Sequence, residues 1–499
     1  MPNQPKIICI SNRLPVSVTK TSNTLEIRPS SGGLVTAMGP VLTKSQGIWI
    51  GWPGTDSSED EEVRRTLGEF SEQSEFDLIP VLLDEDSVTG FYQGFSNQII
   101  WPLFHDLQSR CNFDPTFWSA YQNVQEVYKD EALKHIDQND LVWVHDFHLM
   151  GLGGALRNSG IKNKTCFFLH TPFPGPDIFS KLPWREEVID SLLSYNLIGF
   201  QTKRDLNNFV DCVKSLTEYP CLNRGDSWFV NSSKVETIAG SFPISIDFSE
   251  FVEIARSPEV ESKAINIKKD MNVDFLILSV DRLDYTKGIP YRIRAFNHLL
   301  EQDPSLKKRV VLLQVVVPSR IDVPEYQQLL QEIEQLVSKL NGEYGEPGWV
   351  PMQHLYRSLE REDLIAMYRA SDVALVTPLK DGMNLVAKEY CASRINNRGA
   401  LVLSEFAGVA DELGDYSYLV NPYDIDKVAG ALSKAFYEDK EKQLKNMACI
   451  RSILEKYDVY SWAHSFLDAV GWQWNSKDSG PRPSTIWDRL KRITKVLDV

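Results

Sequence analysis

Two cations stand five residues apart in the stretch VDRLDYTKG, Arg282 and Lys287. The apolar run before them places both in a turn between a predicted strand and a helix that begins near Gly288. There they can converge on a diphosphate, with the guanidinium as a bidentate fork, the ammonium as a point charge and the helix dipole in support. The alternative is that both are solvated loop cations paired with Asp281 and Asp284. Taken alone, the stretch favours that alternative.

A second candidate anion site lies in PLKDGMNLVAKEY. Asp381 closes a predicted strand, and a helix-forming run follows, so the amides of Gly382, Met383 and Asn384 are exposed toward a ligand. Glu389 falls about one turn into that helix. It can accept hydrogen bonds from a ribose diol, as an acidic residue does in dinucleotide-binding domains. A well-capped helix with an exposed glutamate explains the pattern equally well.

Four polar residues follow two further predicted strands: His145, Asp146 and His148 in VHDFHLM, and His170 in FLHTPFP. Closely spaced histidines are common metal ligands. There is no HExxH motif, however, and no companion cysteine or acidic pair at ligand spacing. Hydrogen bonding to a sugar is therefore favoured, and no metal site is predicted. Each histidine taken singly also fits a satisfied interior residue.

Near the N-terminus, Arg13 follows the first predicted strand in ISNRLPV. Gly33, the second glycine of SSGGLV, belongs to a predicted loop that can bring backbone close to a phosphate. The spacing is not GxGxxG, which weakens a dehydrogenase interpretation. Further on, FYQGFSNQIIWPLFH supplies Tyr92, Trp101 and His105. Aromatic side chains line pockets, but aromatics of a core strand are the more frequent explanation.

The elements that position these residues are short apolar runs between longer amphipathic stretches. The runs are KIICIS, GIWIGW, DLVWVHD, TCFFLH, NLIGFQ, DFLILSVD, RVVLLQVVV, SDVALVTP and GALVLSE. They predict buried parallel strands that alternate with helices such as PEYQQLLQEIEQLVSKLNG and REDLIAMYRASD. The pattern restarts after residue 245, so the fold class is α/β with two Rossmann-like doubly wound domains. Ligands of such sheets bind beyond the carboxyl ends of the strands, where the polar residues above stand.

The domain boundaries follow from the same pattern. We expect an N-terminal Rossmann-like domain over residues 1–245, a second over 246–457 and a C-terminal helical extension over 458–499. The linker candidate is IAGSFPISIDFSEF near residues 240–250, where Gly, Pro and Ser separate two periodic blocks. The extension ends in TIWDRLKRITKVL, a predicted helix.

Composition excludes several classes of partner. The 53 Lys and Arg against 68 Asp and Glu leave a net charge of −15, which argues against nucleic acid and anionic membranes, so a phosphate site must be built locally. Seven scattered cysteines without CxxC spacing suggest neither disulfides nor zinc, and favour a reducing cytoplasm. No targeting signal is recognisable, and no apolar run approaches the ~18 residues of a membrane span.

Ten motifs in one order carry a family resemblance: SNR, GG, GW, YxxFSNxxxWPxFH, HDFHL, FFLHTPFP, GFQT, RLDYTKG, PSR and DGMNLVAKEY. From about residue 6 to about 465 the chain resembles the trehalose-6-phosphate synthase family of retaining glycosyltransferases. The resemblance implies a GT-B arrangement, two Rossmann-like domains facing across a cleft, with acceptor bound mainly by the first and nucleotide sugar by the second. It also implies a role in trehalose biosynthesis and stress protection.

The resemblance implies roles for individual residues. For the donor these are Arg282 and Lys287 on the diphosphate, Glu389 on the ribose, Gly33 near the phosphates, and Asp381 with Gly382, Met383, Asn384 and Leu385 on the transferred glucose. His170 would reach that glucose from the other domain, and it joins Arg282, Lys287 and Asp381 as catalytic. The acceptor residues would be Arg13, Trp52, Tyr92, Trp101, Asp146 and Arg320. No cofactor and no metal are implied.

The expected reaction moves glucose from a nucleoside diphosphate glucose to glucose 6-phosphate, giving α,α-trehalose 6-phosphate. UDP-glucose is the first choice of donor, with ADP- or GDP-glucose as alternatives. A relative that uses glycerol 3-phosphate, of the glucosylglycerol-phosphate synthase kind, would be altered at SNR and FSN, which are intact here. A catalytically silent, sugar-phosphate-sensing homologue would lose some of the four residues Arg282, Lys287, Asp381 and Glu389, and all are present. The oligomeric state, a homo-oligomer included, is left open.

Overall fold

The computed structural model describes residues 5–21, 24–29, 33–55, 60–71, 76–320 and 323–472. The chain forms two compact α/β units, which confirms the predicted fold class. Of the described residues, those up to Ile244 together with 460–472 form the first unit, and Ser245–Val459 form the second. The chain thus enters the second unit after Ile244 and returns to the first after Val459. The assignment of acceptor to one domain and nucleotide sugar to the other stays a prediction.

The described strands of the first unit are β1 (Ile7–Arg13), β2 (Val16–Thr21), β3 (Thr24–Pro29), β4 (Ile48–Trp52), β5 (Asp77–Pro80), β6 (Leu141–His145), β7 (Thr165–Phe168), β8 (Leu197–Phe200), β9 (Cys221–Arg224), β10 (Ser227–Asn231) and β11 (Glu236–Ser241). Nine of them form one sheet in the order β5-β4-β1-β6-β7-β8-β11-β10-β9. The first seven in that order run parallel, and β10 is antiparallel to both of its neighbours. The strands β2 and β3 form a separate antiparallel hairpin.

Helices cover the sheet of the first unit. They are Gly33–Ser45, Asp60–Ser71, Glu85–Ser87, Trp101–Phe104, Pro115–Ala132, Leu152–Asn158, Pro176–Phe179, Arg185–Leu192, Lys203–Leu216 and Val459–Ala469, with a π-helix over Val88–Ile100 and short 3₁₀ turns over Gln108–Arg110 and Phe147–Leu149. The central strands β1, β6, β7 and β8 are buried almost throughout, as expected for parallel strands covered on both faces.

The second unit has six described strands: β12 (Phe275–Arg282), β13 (Val310–Val317), β14 (Met352–Tyr356), β15 (Val373–Val376), β16 (Ala400–Ser404) and β17 (Tyr418–Val420). All pair in parallel, in the order β14-β13-β12-β15-β16-β17. Its helices are Phe248–Arg256, Pro258–Met271, Ile289–Gln302, Pro324–Tyr344, Arg361–Ala370, Leu385–Ser393, Ala410–Leu413, Ile425–Tyr437 and Lys440–Lys456, with 3₁₀ turns over Tyr285–Lys287, Pro304–Leu306 and Gly414–Tyr416.

Both sheets reverse their strand order at one point. Counted from the first strand of the second unit, the order is 3-2-1-4-5-6, the doubly wound order of dinucleotide-binding domains, with the reversal between β12 and β15. In the first unit the corresponding reversal lies between β1 and β6. Ligands of open α/β sheets bind at this switch point, outside the carboxyl ends of the strands. Ligand-binding and catalytic side chains are therefore expected at these two switch points.

Every predicted strand run contains an observed strand, but some residues sit differently from the prediction. Arg13, His145 and Arg282 are the last residues of β1, β6 and β12 and do not follow them, because pairing with neighbouring strands extends to the strand ends. Gly33 is the first residue of the helix Gly33–Ser45, so its placement in a loop was wrong. The predicted helix TIWDRLKRITKVL lies outside the described residues.

The helix Val459–Ala469 completes the core of the first unit. The Phe466 ring stacks on Trp143 with 4.5 Å between centroids, and Trp462 packs on the same indole at 5.3 Å. The Lys164 ammonium donates to the Val470 carbonyl at 2.6 Å. Residues 460–472 of the predicted extension thus belong to the first unit, and 473–499 lie outside the described part. Along the ranges described, every helix is too short or too polar to cross a bilayer.

Candidate active site

Arg13 ends β1 at the switch point of the first unit. Its guanidinium lies over the Trp52 ring, 3.9 Å from the centroid, and 5.6 Å from the centroid of Tyr92. Gly54 makes room for it: the residue has φ +93°, and a Cβ there would lie 2.0 Å from Arg13 Nη1. Within the described residues the guanidinium forms no ion pair. Its charge is held by aromatic faces and remains available to an anion.

Tyr92 and Trp101 owe their common direction to the π-helix Val88–Ile100, where the Trp101 amide donates to the carbonyl five residues back. At 3.6 residues per turn, an α-helix puts residues nine apart on opposite sides. A π-helix, at about 4.4 residues per turn, completes about two turns over the same span and puts them on one side. Tyr92 accordingly stacks on His148 (centroids 6.0 Å apart) and Trp101 packs on the preceding Phe147 (5.7 Å). The core-strand explanation of these aromatics was wrong.

Asp146 follows β6 in a strained conformation, with φ +73°. Its Oδ1 accepts from the His170 amide at 3.3 Å, and its Oδ2 lies 4.0 Å from His148 Nδ1. Such backbone strain in a non-glycine residue costs about 1–3 kcal/mol and clusters at functional sites. The structure thus brings Asp146 and His170 together at the carboxyl ends of β6 and β7, with His148 linking them to Tyr92.

Burial disfavours the charged form of two histidines of this site, His145 and His170. His145 Nδ1 lies 3.1 Å from His170 Nε2. Burial lowers the pKa of His145 well below its usual value, with the neighbouring His170 adding to the effect, and burial lowers the pKa of His170 to about 3. The ranges that the structure describes contain no group of three or more His, Cys, Asp or Glu side chains placed to hold a metal ion. The prediction of a metal-free site stays a prediction.

In the second unit, Lys287 and Asp381 pair across the switch point. Lys287 Nζ lies 2.6 Å from Asp381 Oδ2, with the side chains 12% and 15% exposed. Asn384 Nδ2 donates to the same oxygen at 3.0 Å. The solvated-cation alternative, with Asp281 or Asp284 as partner, is therefore wrong for Lys287. The predicted helix beyond the turn is observed over Ile289–Gln302.

A buried arginine holds the turn that carries Lys287. Arg292 is 1% exposed; its Nη1 lies 2.5 Å from both Asp281 Oδ2 and Ser279 Oγ, and its Nε donates to Thr377 Oγ1 at 3.0 Å. Its Nη2 also donates to the Lys287 carbonyl. The guanidinium thereby ties the ends of β12 and β15 to the turn. Sequence reasoning missed this residue, and the signal was an arginine on the apolar face of the helix IPYRIRAFNHLL.

Arg282 and Arg320 act on one buried carboxylate. Arg320, with φ +49°, places its Nη1 3.7 Å from Asp284 Oδ2 and donates to the Tyr326 hydroxyl. Burial alone would raise the pKa of Asp284, but the positive charges of Arg320 and Arg282 hold it below its usual value. Arg320, one of the predicted acceptor residues, therefore belongs to the second unit and sits by the turn of Arg282 and Lys287.

The run after Asp381 forms a capped helix N-terminus. Asn384, in the left-handed region at φ +82°, accepts from the Ala387 amide at 3.2 Å, and the helix begins at Leu385. In the described part of the chain, no backbone carbonyl accepts from the amides of Gly382, Met383 or Asn384. Unpaired amides at the positive end of a helix suit an anion or a sugar oxygen.

Glu389 is not the exposed glutamate of the alternative interpretation. It is half-buried one turn into the helix Leu385–Ser393, and its Oε2 accepts from the Tyr368 hydroxyl at 2.9 Å. Burial raises the pKa of Glu389, and the Tyr368 hydrogen bond and the Arg361 charge oppose that rise. The remaining predicted donor residue, Gly33, opens a helix whose first amides have no partner within the helix.

Comparison with known proteins bears on this arrangement. The model of glycosyltransferase family 20 matches residues 5–471. The chain is 40% identical to a trehalose-6-phosphate synthase of Mycolicibacterium vanbaalenii over 93% of its length and 95% of the relative. It is 37% identical to the 56 kDa subunit of the UDP-forming α,α-trehalose-phosphate synthase of Saccharomyces cerevisiae, over 92% of this chain and 93% of that one.

Solved structures agree with the sequence matches. An α,α-trehalose-phosphate synthase of Burkholderia xenovorans in complex with glucose 6-phosphate is 31% identical, with a TM-score of 0.85 over 93% of this chain and 100% of that one. A protein of Escherichia coli bound with UDP-2-fluoro glucose is 33% identical, with a TM-score of 0.83 over 96% of this chain and 100% of that one. One mainly parallel and one fully parallel sheet with polar switch points, together with these matches, define a glycosyltransferase. The chain belongs to glycosyltransferase family 20, the trehalose-6-phosphate synthase family, as its ten motifs predicted.

Proposed function

We propose that this chain transfers glucose from UDP-glucose to glucose 6-phosphate with retention of configuration, releasing α,α-trehalose 6-phosphate and UDP. The observation that carries the proposal is the Lys287–Asp381 pair across the switch point of β12 and β15, beside the unpaired amides of Gly382 to Asn384. Uridine is chosen because several relatives are named as UDP-forming and a solved relative holds UDP-2-fluoro glucose. Glucose 6-phosphate is chosen because another solved relative holds it.

The nucleotide sugar is assigned to side chains of the second unit. An ammonium has three donors, so Lys287 can keep one bond to Asp381 and give the others to the diphosphate. Arg282 adds a guanidinium fork, and both cations stabilise the charge that grows on the leaving group. The diol of the ribose would bind to Glu389, whose carboxylate oxygens can accept hydrogen bonds from the two hydroxyls. These roles need no divalent ion.

Asp381 has two polar partners on one oxygen, Lys287 and Asn384. We assign it to binding hydroxyls of the transferred glucose, not to attack on the anomeric carbon. Retention without a protein nucleophile then requires attack from the face of the leaving group, with a diphosphate oxygen taking the proton of the acceptor hydroxyl. The protein contributes orientation, which is worth on the order of 7–11 kcal/mol.

The acceptor is assigned to side chains of the first unit. Arg13 offers an unpaired guanidinium to the 6-phosphate, and Trp52 and Tyr92 form the wall on which it stacks. Trp101 and Asp146 would contact the sugar. Arg320 stays the further predicted phosphate ligand.

The decisive experiment incubates the protein with UDP-, ADP- and GDP-glucose against glucose 6-phosphate, glucose and glycerol 3-phosphate. We expect one efficient pair, UDP-glucose with glucose 6-phosphate, and a product whose mass and two small anomeric couplings identify α,α-trehalose 6-phosphate. Lys287→Ala should be inactive, and Lys427→Ala, a surface lysine of the same unit, should be unaffected. Efficient transfer to glycerol 3-phosphate would overturn the assignment of glucose 6-phosphate as the acceptor. No product from any pair would indicate the silent homologue.

We also propose a cytoplasmic location. All seven cysteines are free thiols, and four of them are buried. Burial raises the pKa of Cys9 and Cys166, which keeps them protonated and unreactive. Thiol counting with a membrane-permeant reagent in intact cells tests this, and oxidised cysteines would contradict it.

A further inference from the structure

His145 is a buried histidine without a role in the proposed reaction. It ends β6 with no exposed surface, and its ring packs against Trp143 (centroids 5.0 Å apart) and His170 (5.4 Å). Its Nδ1 lies 3.1 Å from His170 Nε2. Because burial lowers the pKa of both rings, we expect both to be neutral at pH 7, and a hydrogen bond between two neutral imidazoles contains one proton, which belongs to one of the two rings.

The second nitrogen of His145 decides which ring holds the proton. His145 Nε2 is buried and has no hydrogen-bond partner among the described residues. The buried indole N–H groups of Trp143, which packs on His145, and of Trp462, which packs on Trp143, also have no acceptor among those residues. A proton on Nε2 would add a third unpaired donor to a cluster that already holds two. A buried donor without an acceptor costs about 1–3 kcal/mol. Because unpaired buried N–H groups are rarer in proteins than unpaired acceptors, the proton is favoured on Nδ1 and the lone pair on Nε2.

We propose that His145 is a positioning residue that holds His170 as the tautomer with its proton on Nδ1, so that His170 meets the substrate as a hydrogen-bond donor. His145 Nδ1–H donates to His170 Nε2 and occupies the lone pair of that nitrogen. The other ring nitrogen of His170 then carries the proton and can donate to a sugar hydroxyl. The bond from the His170 amide to Asp146 fixes the backbone of the same residue.

The inference deepens the proposed function and rests on it. With Nε2 engaged and Nδ1 protonated, His170 has no free lone pair and cannot act as a general base. The proton of the acceptor hydroxyl must then leave by another route, as it does in transfer assisted by the departing diphosphate. His170 contributes orientation of the glucose and a partial positive charge.

The direct test is nitrogen NMR of the wild-type protein without substrate. Deuterated protein labelled with ¹⁵N-histidine gives two-bond correlations that tell which ring nitrogen is protonated, and His170→Gln identifies the signals. We expect His170 protonated on Nδ1 and His145 on Nδ1. A proton on His170 Nε2 would overturn the inference. Because no turnover is needed, this result stands apart from the proposed function, whose failure would appear as absence of product.

The kinetic test compares two substitutions whose side chains branch at Cγ and have the same number of heavy atoms. His145→Asn keeps an N–H close to the position of Nδ1, and His145→Leu removes it. We expect His145→Leu to lower kcat about 10- to 100-fold, the usual loss when the partner that orients a functional histidine is removed, and His145→Asn to recover most of it. His135→Asn, at a partly exposed histidine of the same unit, is the control. Equal losses for Asn and Leu at equal melting temperatures would contradict the inference.

Discussion

At the residue scale, Arg13 is the clearest case of a charge held ready for a ligand. Its guanidinium rests on two aromatic faces, and in the described part of the chain no carboxylate neutralises it. The alternative role, capping a neighbouring strand or helix, has no hydrogen bond in its support among those residues. We therefore predict that Arg13 binds an anionic ligand.

Arg13→Ala should therefore raise the KM for glucose 6-phosphate far more than the KM for UDP-glucose. The loss of charge-assisted hydrogen bonds, about 1.5–3 kcal/mol, corresponds to roughly 10- to 150-fold. Arg13→Lys should fall in between, because an ammonium keeps the charge without the planar fork. Steady-state kinetics with each substrate varied in turn, together with a thermal melt, measure this. Equal changes in both KM values with a lower melting temperature would show a structural role.

Glu389 gives a prediction about stability and pH. Its pKa is raised in the folded protein by burial, so the unfolded chain ionises first, from about its ordinary value of 4.5. The wild type therefore loses stability as pH rises from there through the folded pKa, and Glu389→Gln avoids that loss. We expect the variant to match the wild type near pH 4 and to melt higher near pH 7, while its KM for the nucleotide sugar rises.

Glu438→Gln is the matched control of opposite sign. Burial alone would raise the pKa of Glu438, but Lys442 and Tyr418 hold that pKa below its usual value. Removing that carboxylate should lower the melting temperature at pH 7 and change little at low pH. Melting curves across pH measure both variants. A Glu389→Gln variant that melts lower than wild type at neutral pH would show that the buried carboxylate stabilises the fold.

Residue types at strand ends could be read from the sequence, and their partners could not. The sequence identifies both Lys287 and Asp381 as candidates, but their ion pair joins positions 94 apart that meet only when β12 and β15 pair in the sheet. The same holds for Arg292, whose burial depends on the helix packing over those strand ends. Chemical candidates are local in sequence, whereas charge partners depend on strand order.

At the element scale, the π-helix Val88–Ile100 is the feature that the sequence did not reveal. Its run FYQGFSNQII is apolar with interspersed small and polar residues, a composition that fits a core strand or an ordinary helix equally well. No local signal distinguishes a turn of 4.4 residues from one of 3.6. The distinction matters because it decides whether Tyr92 and Trp101 share a side.

Gly94 allows the π-helix to lie close to the helix Pro115–Ala132. A Cβ at Gly94 would come within 2.5 Å of the Phe117 ring, which is rigid and buried in part. Gly94→Ala should push the two helices apart, cost about 1–3 kcal/mol and raise the KM for glucose 6-phosphate by displacing Tyr92. Urea unfolding and acceptor kinetics measure the two effects.

Gly68 is the control for the same substitution. It lies in the helix Asp60–Ser71, and a Cβ there would meet no atom within 4 Å. Gly68→Ala should stabilise the protein by about 0.5–1 kcal/mol through helix propensity alone. If Gly94→Ala behaves like Gly68→Ala, close packing does not set the position of the π-helix.

At the scale of the whole molecule, the chain contributes to its first unit twice. The sequence pattern suggested two successive domains and a separate extension, because the period of strands and helices ends near residue 457. The structure instead uses the helix Val459–Ala469 to cover Trp143 and Phe168 of the first unit. A sequence pattern shows that such a helix is amphipathic, but not which of two cores its apolar face completes.

Phe466→Ala should destabilise the first unit by about 3–5 kcal/mol, the cost of removing a buried phenyl ring. Phe466 is fully buried and contacts Trp143, Phe168 and Phe242. Tyr457→Ala, at an aromatic side chain that is 52% exposed, should change stability by less than about 0.5 kcal/mol. Denaturant unfolding followed by tryptophan fluorescence measures both. A small change in the free energy of unfolding of Phe466→Ala would mean that the helix Val459–Ala469 contributes little to the stability of the first unit.

The return of the chain to its first unit also determines the order in which the two units are completed during translation. The second unit is contiguous, from Ser245 to Val459, so all of its residues except the last are synthesised before the covering helix. Most of the first unit is translated earlier. Its sheet remains uncovered at Trp143 and Phe168 until Trp462 and Phe466 emerge from the ribosome. Nascent chains halted before that helix would expose a hydrophobic aromatic surface. Stalled or prematurely terminated products would therefore be recognised by chaperones and proteases through that surface.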